Sequence, residues 1–192
     1  MASRNLRNPL AIVVLGMLAE EPMHPYGMRQ RVSGRAYDRM PGVRPSSLYD
    51  AVGRLARAGL ISADETIRDG NHPERTRYSI TTGGRESLTS WVEAALADDG
   101  DADGLPAALS FMYSIGPDRV SALLHGRAQR LTESLDADEA ELSRALEDGV
   151  NPIFLSEHRY LLARRRAERD WIVGFLAGLE TGDLIWPERA PQ

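Results

Sequence analysis

The 192-residue chain contains no cysteine, and none of its 23 basic side chains is a lysine. The first absence removes disulfides, thiolate zinc sites and cysteine nucleophiles. The second removes Schiff-base chemistry and the lysine of a phosphate-binding P-loop. A membrane span needs about 20 consecutive apolar residues, and no run in the chain approaches that length. Arginines precede an apolar stretch in MASRNLRNPLAIVVLGMLAEE, as in a secretory signal, but Glu20 and Glu21 stand where a cleavage site should come and the helical period continues. The expectation is a cytoplasmic, non-enzymatic protein.

What the chain does contain is unevenly placed charge. Residues 1–97 carry 13 Arg against 10 acids, a net of +3, whereas residues 98–192 carry 10 Arg against 18 acids, a net of −8. A mildly basic half beside an acidic half suggests a polyanion-binding module joined to something else.

The spacing predicts a first helix opened by Asn8-Pro9, with Leu10, Val13, Val14, Met17 and Leu18 as its apolar stripe and Pro22 beyond its end. A second begins near His24-Pro25 and loosens at Ser33-Gly34. A third lies in RPSSLYDAVGRLARAGL, capped by Ser46 or Ser47, with Leu48, Val52 and Leu55 on one face and Gly59 past its end. Alternation marks Leu60–Ile67 and Thr76–Thr81 as strands, and a fourth helix after Gly84 turns Leu88, Trp91, Val92 and Leu96 inward. This order is that of a winged helix-turn-helix. It gives the arginines of the intervening tip, in DGNHPERTRYSIT (Asp69 to Thr81), a use: a hairpin can reach phosphates or the minor groove beside a helix in the major groove.

Three blocks, PLAIVVLGMLAEEPMHPYGMRQRV, PSSLYDAVGRLARAGLI and GNHPERTRYSITTGGRESL, resemble in order and spacing the PadR family of bacterial transcriptional regulators. One departure is Pro25, where many members carry Gly after the histidine. The C-terminal half is similar to the virulence-activator type of helical domain found in one PadR subgroup, chiefly through RYLLARRRAERDWIVGFLAGL.

Residues 98–104 read as an acidic linker. Asp99, Asp101, Asp103 and Gly104 match positions of an EF-hand loop, but Ser110 stands where the bidentate Glu belongs, and Pro106 breaks the segment after the linker. His24, His72, His125 and His158 show no metal-ligand spacing, so neither a metal nor another cofactor is expected. Between Pro117 and Gly149 one heptad row holds Ala128, Leu135 and Leu142; a second holds Leu124, Leu131 and Ala145 but is interrupted by Asp138. After the break at Gly149-Val150-Asn151-Pro152, a long helix carries Phe154, His158, Leu161, Ile172, Phe175 and Leu179, interrupted by Arg165 and Glu168. Arg164-Arg165-Arg166 reads as a face answering Glu168 and Asp170.

The expected fold is mainly α with a small β-hairpin: a winged helix-turn-helix over residues 1–97, the linker, and a long-helix dimerisation domain over 105–192. The resemblance implies a homodimeric DNA-binding regulator, a repressor on a pseudo-palindromic operator. Its third helix would offer Ser46, Ser47, Tyr49 and Arg54 to the major groove, its wing Asn71, His72 and Arg75, and Arg44 would meet a phosphate. Leu124, Leu131, Leu135, Leu142, Leu161, Ile172, Phe175 and Leu179 would form the dimer seam. The resemblance also offers a small aromatic effector, with Trp171 as its candidate contact; the alternative for Trp171 is a packed interface tryptophan. The alternative is a winged helix that binds protein and not DNA; an enzyme would need an acid, base or nucleophile arrangement that the sequence does not display.

Overall fold

A computed structural model describes residues 6–64, 76–100 and 103–187 of the chain. The chain divides into two compact units, one ending at Gly116 and the other running from Pro117 to Trp186.

The first unit is built around α1 (Pro9–Glu20). Asn8 caps it by accepting from the Ala11 amide at 2.9 Å, and Pro9 takes the first-turn position that lacks an intrahelical N–H partner. Leu10 through Leu18 are all buried, so α1 is enclosed on every side and is more than a one-sided stripe. Around it pack α3 (Leu48–Arg57), α4 (Thr82–Ala97) and α5 (Leu105–Phe111), while α2 (Pro25–Gly34) packs on α3.

The strands β1 (Ile61–Ala63) and β2 (Tyr78–Ile80) pair antiparallel with Ile61 opposite Ile80. Met23 adds a bridge on the far side of β2, exchanging both backbone hydrogen bonds with Tyr78 at 3.0 Å. The root of the hairpin is therefore held from two directions. Helix α4 begins at Thr82, ahead of the start after Gly84 that the sequence suggested, because the Thr81 hydroxyl accepts from the Gly84 amide at 3.0 Å. Gly84 is required there: a Cβ on it would lie 2.0 Å from the Leu60 carbonyl oxygen.

Helix α5 corrects the expected organisation. Pro106 does not break the segment; it sits in the first turn of α5, where its missing N–H costs nothing. Phe111 is fully buried in a notch left by Gly16, whose Cβ would come within 2.2 Å of the ring. Residues 105–116 thus belong to the first unit and not to the C-terminal helices.

The second unit is an antiparallel pair, α6 (Pro117–Glu147) and α7 (Ser156–Thr181). Gly149, at φ +78°, reverses the chain, and the Asn151 side chain accepts from the Ile153 amide to cap a short 3-10 turn. The interruptions in the two heptad rows answer one another. Asp138 of α6 pairs with Arg165 of α7. Arg127, wholly buried, directs Nε and a terminal guanidinium nitrogen to one Glu168 oxygen at 2.7 and 2.6 Å. Arg166 reaches Glu139 at 2.6 Å. Arg165 and Arg166 thus take their acids from α6 and not from Glu168 or Asp170.

This pairing changes the reading of the proposed dimer seam. Leu124, Leu131, Leu135 and Ile172 are already buried within the single chain. Leu142, Phe175 and Leu179 are half-buried, and Leu161 remains 42% exposed. Trp91 lies in the core of the first unit, as expected. Among the described residues, no helix is long and apolar enough to cross a membrane.

The buried ion pair makes one expectation specific. Glu168→Leu should destabilise the protein by about 3 kcal/mol, because it removes the carboxylate that answers a buried guanidinium. Adding Arg127→Met should restore most of that loss, since a buried pair replaced by apolar groups of similar volume is often neutral. Denaturant unfolding of the two variants checks this. A double variant no more stable than the single would place the role of Arg127 outside this pair.

Candidate nucleic-acid interface

Helix α2 contributes only Met28 and Val32 to the core. Its orientation is set instead by Glu20, the last residue of α1, whose side chain is 5% exposed. Arg31 reaches Glu20 at 3.3 Å and also pairs with Glu21. Arg35 donates to both Glu20 oxygens, at 2.8 and 2.7 Å. The Tyr113 hydroxyl, in the 3-10 turn Met112–Ser114 after α5, donates to Glu20 at 3.1 Å. The hydrogen bond to Glu20 holds the Arg35 proton more tightly than usual. Burial pushes the Tyr113 hydroxyl up from its ordinary value, and the Glu20 charge adds to the shift. After α2, Ala36 takes a left-handed conformation (φ 57°) that turns the chain into the 3-10 turn Tyr37–Arg39.

A second 3-10 turn, Pro45–Ser47, leads into α3. Ser47 stands at the cap position without a side-chain cap bond, so the expected serine cap is not made. Leu48, Ala51, Val52 and Leu55 are buried. At 100° per residue the opposite pole of this helix falls at Asp50, Gly53 and Arg57, flanked by Tyr49 and Arg54, with Ser46 in the 3-10 turn ahead of it.

Of the site residues suggested by the sequence, Arg44 and Ser46 are exposed, Tyr49 is 53% exposed, and Ser47 and Arg54 are half-buried. Asn71, His72 and Arg75 lie outside the described residues. Asp50 and Gly53, nearer the outward pole than Arg54, were not among them, whereas Arg57 shares with Arg54 the outward position that the sequence left open between a DNA contact and a solvent-facing arginine. The signal for Asp50 and Gly53 was the α3 pattern itself once Ala51 joins the buried set. On α2, Tyr26, Arg29, Gln30 and Ser33 line an open concavity of about 530 Å³, with Gln30 donating to the Tyr26 hydroxyl at 3.3 Å.

The arginines of this region fall into two groups. Arg31 and Arg35 are neutralised by Glu20 and Glu21. Arg29, Arg39, Arg44, Arg54 and Arg57 have neither an ion pair nor a side-chain hydrogen bond among the described residues. Unanswered guanidinium groups on and around an exposed helix face are suited to phosphates and to guanine edges.

A helix-turn-helix, an antiparallel hairpin and a following helix, in this order, make the first unit a winged helix-turn-helix. Residues 14–90 match the model of the Transcriptional regulator PadR-like family. No curated protein matches the chain. Among solved structures it is similar to Bacillus subtilis PadR in complex with operator DNA, at 18% identity and TM-score 0.39, covering 86% of this chain and 96% of that one. It is also similar to smu.1604c from Streptococcus mutans UA159, at 19% identity and TM-score 0.40, covering 86% and 97%. The PadR-like transcriptional regulator BC1756 from Bacillus cereus gives 16% identity and TM-score 0.38, covering 88% and 94%. Overlays this loose transfer no residue roles.

The Glu20 cluster generates a stability expectation. Glu20→Gln should cost about 1.5–3 kcal/mol, the range for hydrogen bonds to a charged group. The raised Tyr113 hydroxyl sets a pH dependence. The unfolded chain ionises this tyrosine near pH 10, below the folded value, so its contribution is complete below that pH and is lost as pH rises above it. Tyr113→Phe should therefore flatten the alkaline fall in stability, measured by urea unfolding between pH 9 and 11. An unchanged alkaline limb would show that this hydroxyl does not sense Glu20.

Proposed function

We propose that the chain is a DNA-binding transcriptional regulator that acts as a homodimer on a pseudo-palindromic operator. The observation that carries this reading is the outward pole of α3, with Arg29, Arg39, Arg44, Arg54 and Arg57 unpartnered among the described residues on and near the helix-turn-helix of a PadR-like domain. Helix α3 lies in the major groove, with Ser46, Tyr49, Arg54 and Arg57 facing base edges or phosphates. Arg44, ahead of α3, meets the backbone, and Asn71, His72 and Arg75 of the wing extend the contact.

Dimerisation is supported by what α7 leaves uncovered. Tyr160, Leu161 and Trp171 are exposed and Phe175 is half-buried, with Trp171 stacked on Phe175 at 5.3 Å. Tyr160, Trp171 and Phe175 share one side of α7, and Leu161 lies at its border with the side that buries Leu162, Ile172 and Leu176. A second copy covering this side gives the two half-sites their fixed separation. Repression, and its relief by a small aromatic molecule at the Trp171–Phe175 stack, complete the reading on the strength of the family resemblance. A winged helix that recruits protein would present the same fold without salt-dependent DNA binding, and this separates the two readings.

Two measurements test the proposal. Arg44→Ala removes two contacts per dimer, so the slope of log affinity against log salt should flatten by about 1.8, at about 0.9 per phosphate contact. An unchanged slope would remove Arg44 from the interface, and no salt dependence in the native protein would favour the protein-recruiting reading. A protein ending at Gly116 keeps α5 against α1 and should sediment as a monomer, with operator affinity lowered by the loss of the linked second half-site. A truncated protein that is still dimeric would put the dimer contact in the first unit.

A further inference from the structure

Asp50 is out of place on a surface that meets a polyanion. It stands at the outward pole of α3, exposed, between Ser46 and the Gly53–Arg57 line. The spacing to Arg54 is the i,i+4 order, acid before base, that favours an ion pair. No such pair forms, and the Asp50 carboxylate has no hydrogen-bond partner among the described residues. It does not close a capping box either, since the Ser47 amide donates to the Arg44 carbonyl at 3.0 Å.

One turn further along, Gly53 offers no side chain. A Cβ placed there would meet only the Arg57 guanidinium, at 4.0 Å. The outward pole of α3 is therefore low at its middle, so the helix backbone can come close to base edges, with a carboxylate on one side of the low point and a guanidinium on the other. Phosphates repel a carboxylate held in this position. The groups in the major groove that can satisfy it are exocyclic amino donors, and the cytosine N4 amino group is the one that pairs with Asp or Glu.

We infer that Asp50 is a specificity-determining residue that accepts a hydrogen bond from a cytosine amino group in each operator half-site, and that it disfavours DNA lacking a donor there. The inference rests on the proposed DNA-binding function. A bland role exists in parallel: an acid in the first turn of a helix interacts favourably with the helix dipole. That role acts on stability and is blind to DNA sequence, so the two are separable.

The test selects bound sequences from a randomised duplex library with the full-length native protein, Asp50→Asn and Asp50→Ala, with a thermal melt of each. The native protein should require cytosine at one position per half-site, and replacing it with thymine should weaken binding about 5- to 150-fold. Asp50→Ala should lose preference at that position alone, keep the others, and bind random duplex more tightly because a repulsive charge is gone. Asp50→Asn should shift the preferred base toward adenine. A native protein that selects a clear operator while Asp50→Ala keeps the same preference at every position overturns the inference but leaves the proposed function standing, and a lowered melting temperature with that outcome assigns Asp50 to the helix dipole alone. A native protein that selects no sequence overturns both.

Discussion

Glu20 holds the helix-turn-helix together. A ten-residue helix anchored by Met28 and Val32 alone could rock about the line through those two side chains. Arg31 and Arg35, four residues apart and so on one face of α2, meet the same buried carboxylate and stop that rotation. Tyr113 fixes the carboxylate in turn from the far side. The absence of lysine suits this arrangement: a guanidinium presents several donors in a plane, so two of them can share a carboxylate and neighbouring acceptors without a floating point charge.

The rest of the first unit is organised by α1. Because it is apolar all round, it can take α3, α4 and α5 against it at once, and each brings an element of the interface into register. The hairpin is tied to the same frame. Met23 pairs with Tyr78, Arg77 donates to the Pro22 carbonyl at 3.2 Å, and the Ser79 hydroxyl donates to Asp64 at 2.6 Å. Whatever residues 65–75 contact, their root is set by the same Pro22–Met23 segment that leads into α2.

Much of this could be read from the residues. The α3 pattern, the Asn8-Pro9 start and the paired strands depend on local preferences, which a single sequence displays directly. Other features depend on partners distant in sequence. That Gly84 must be glycine is visible only beside the Leu60 carbonyl, and that Pro106 opens a helix is decided by the Phe111 ring docking at Gly16. The heptad rows were read helix by helix, which made Asp138, Arg165 and Glu168 look like defects in a seam. Set side by side, Asp138 and Arg165 complement one another and Glu168 answers Arg127, and much of the apolar surface assigned to a second copy is buried within the α6–α7 pair.

Those matched charges also constrain how the two helices can vary. An α6 bearing Arg127, Asp138 and Glu139 is suited to an α7 that places Glu168, Arg165 and Arg166 opposite them. An α7 lacking this pattern would bury Arg127 without Glu168 opposite it, at a cost of several kcal/mol. Substitutions in the hairpin are then tolerated most readily when both helices change together. The ion pairs thus tie the charge pattern of each long helix to that of the other.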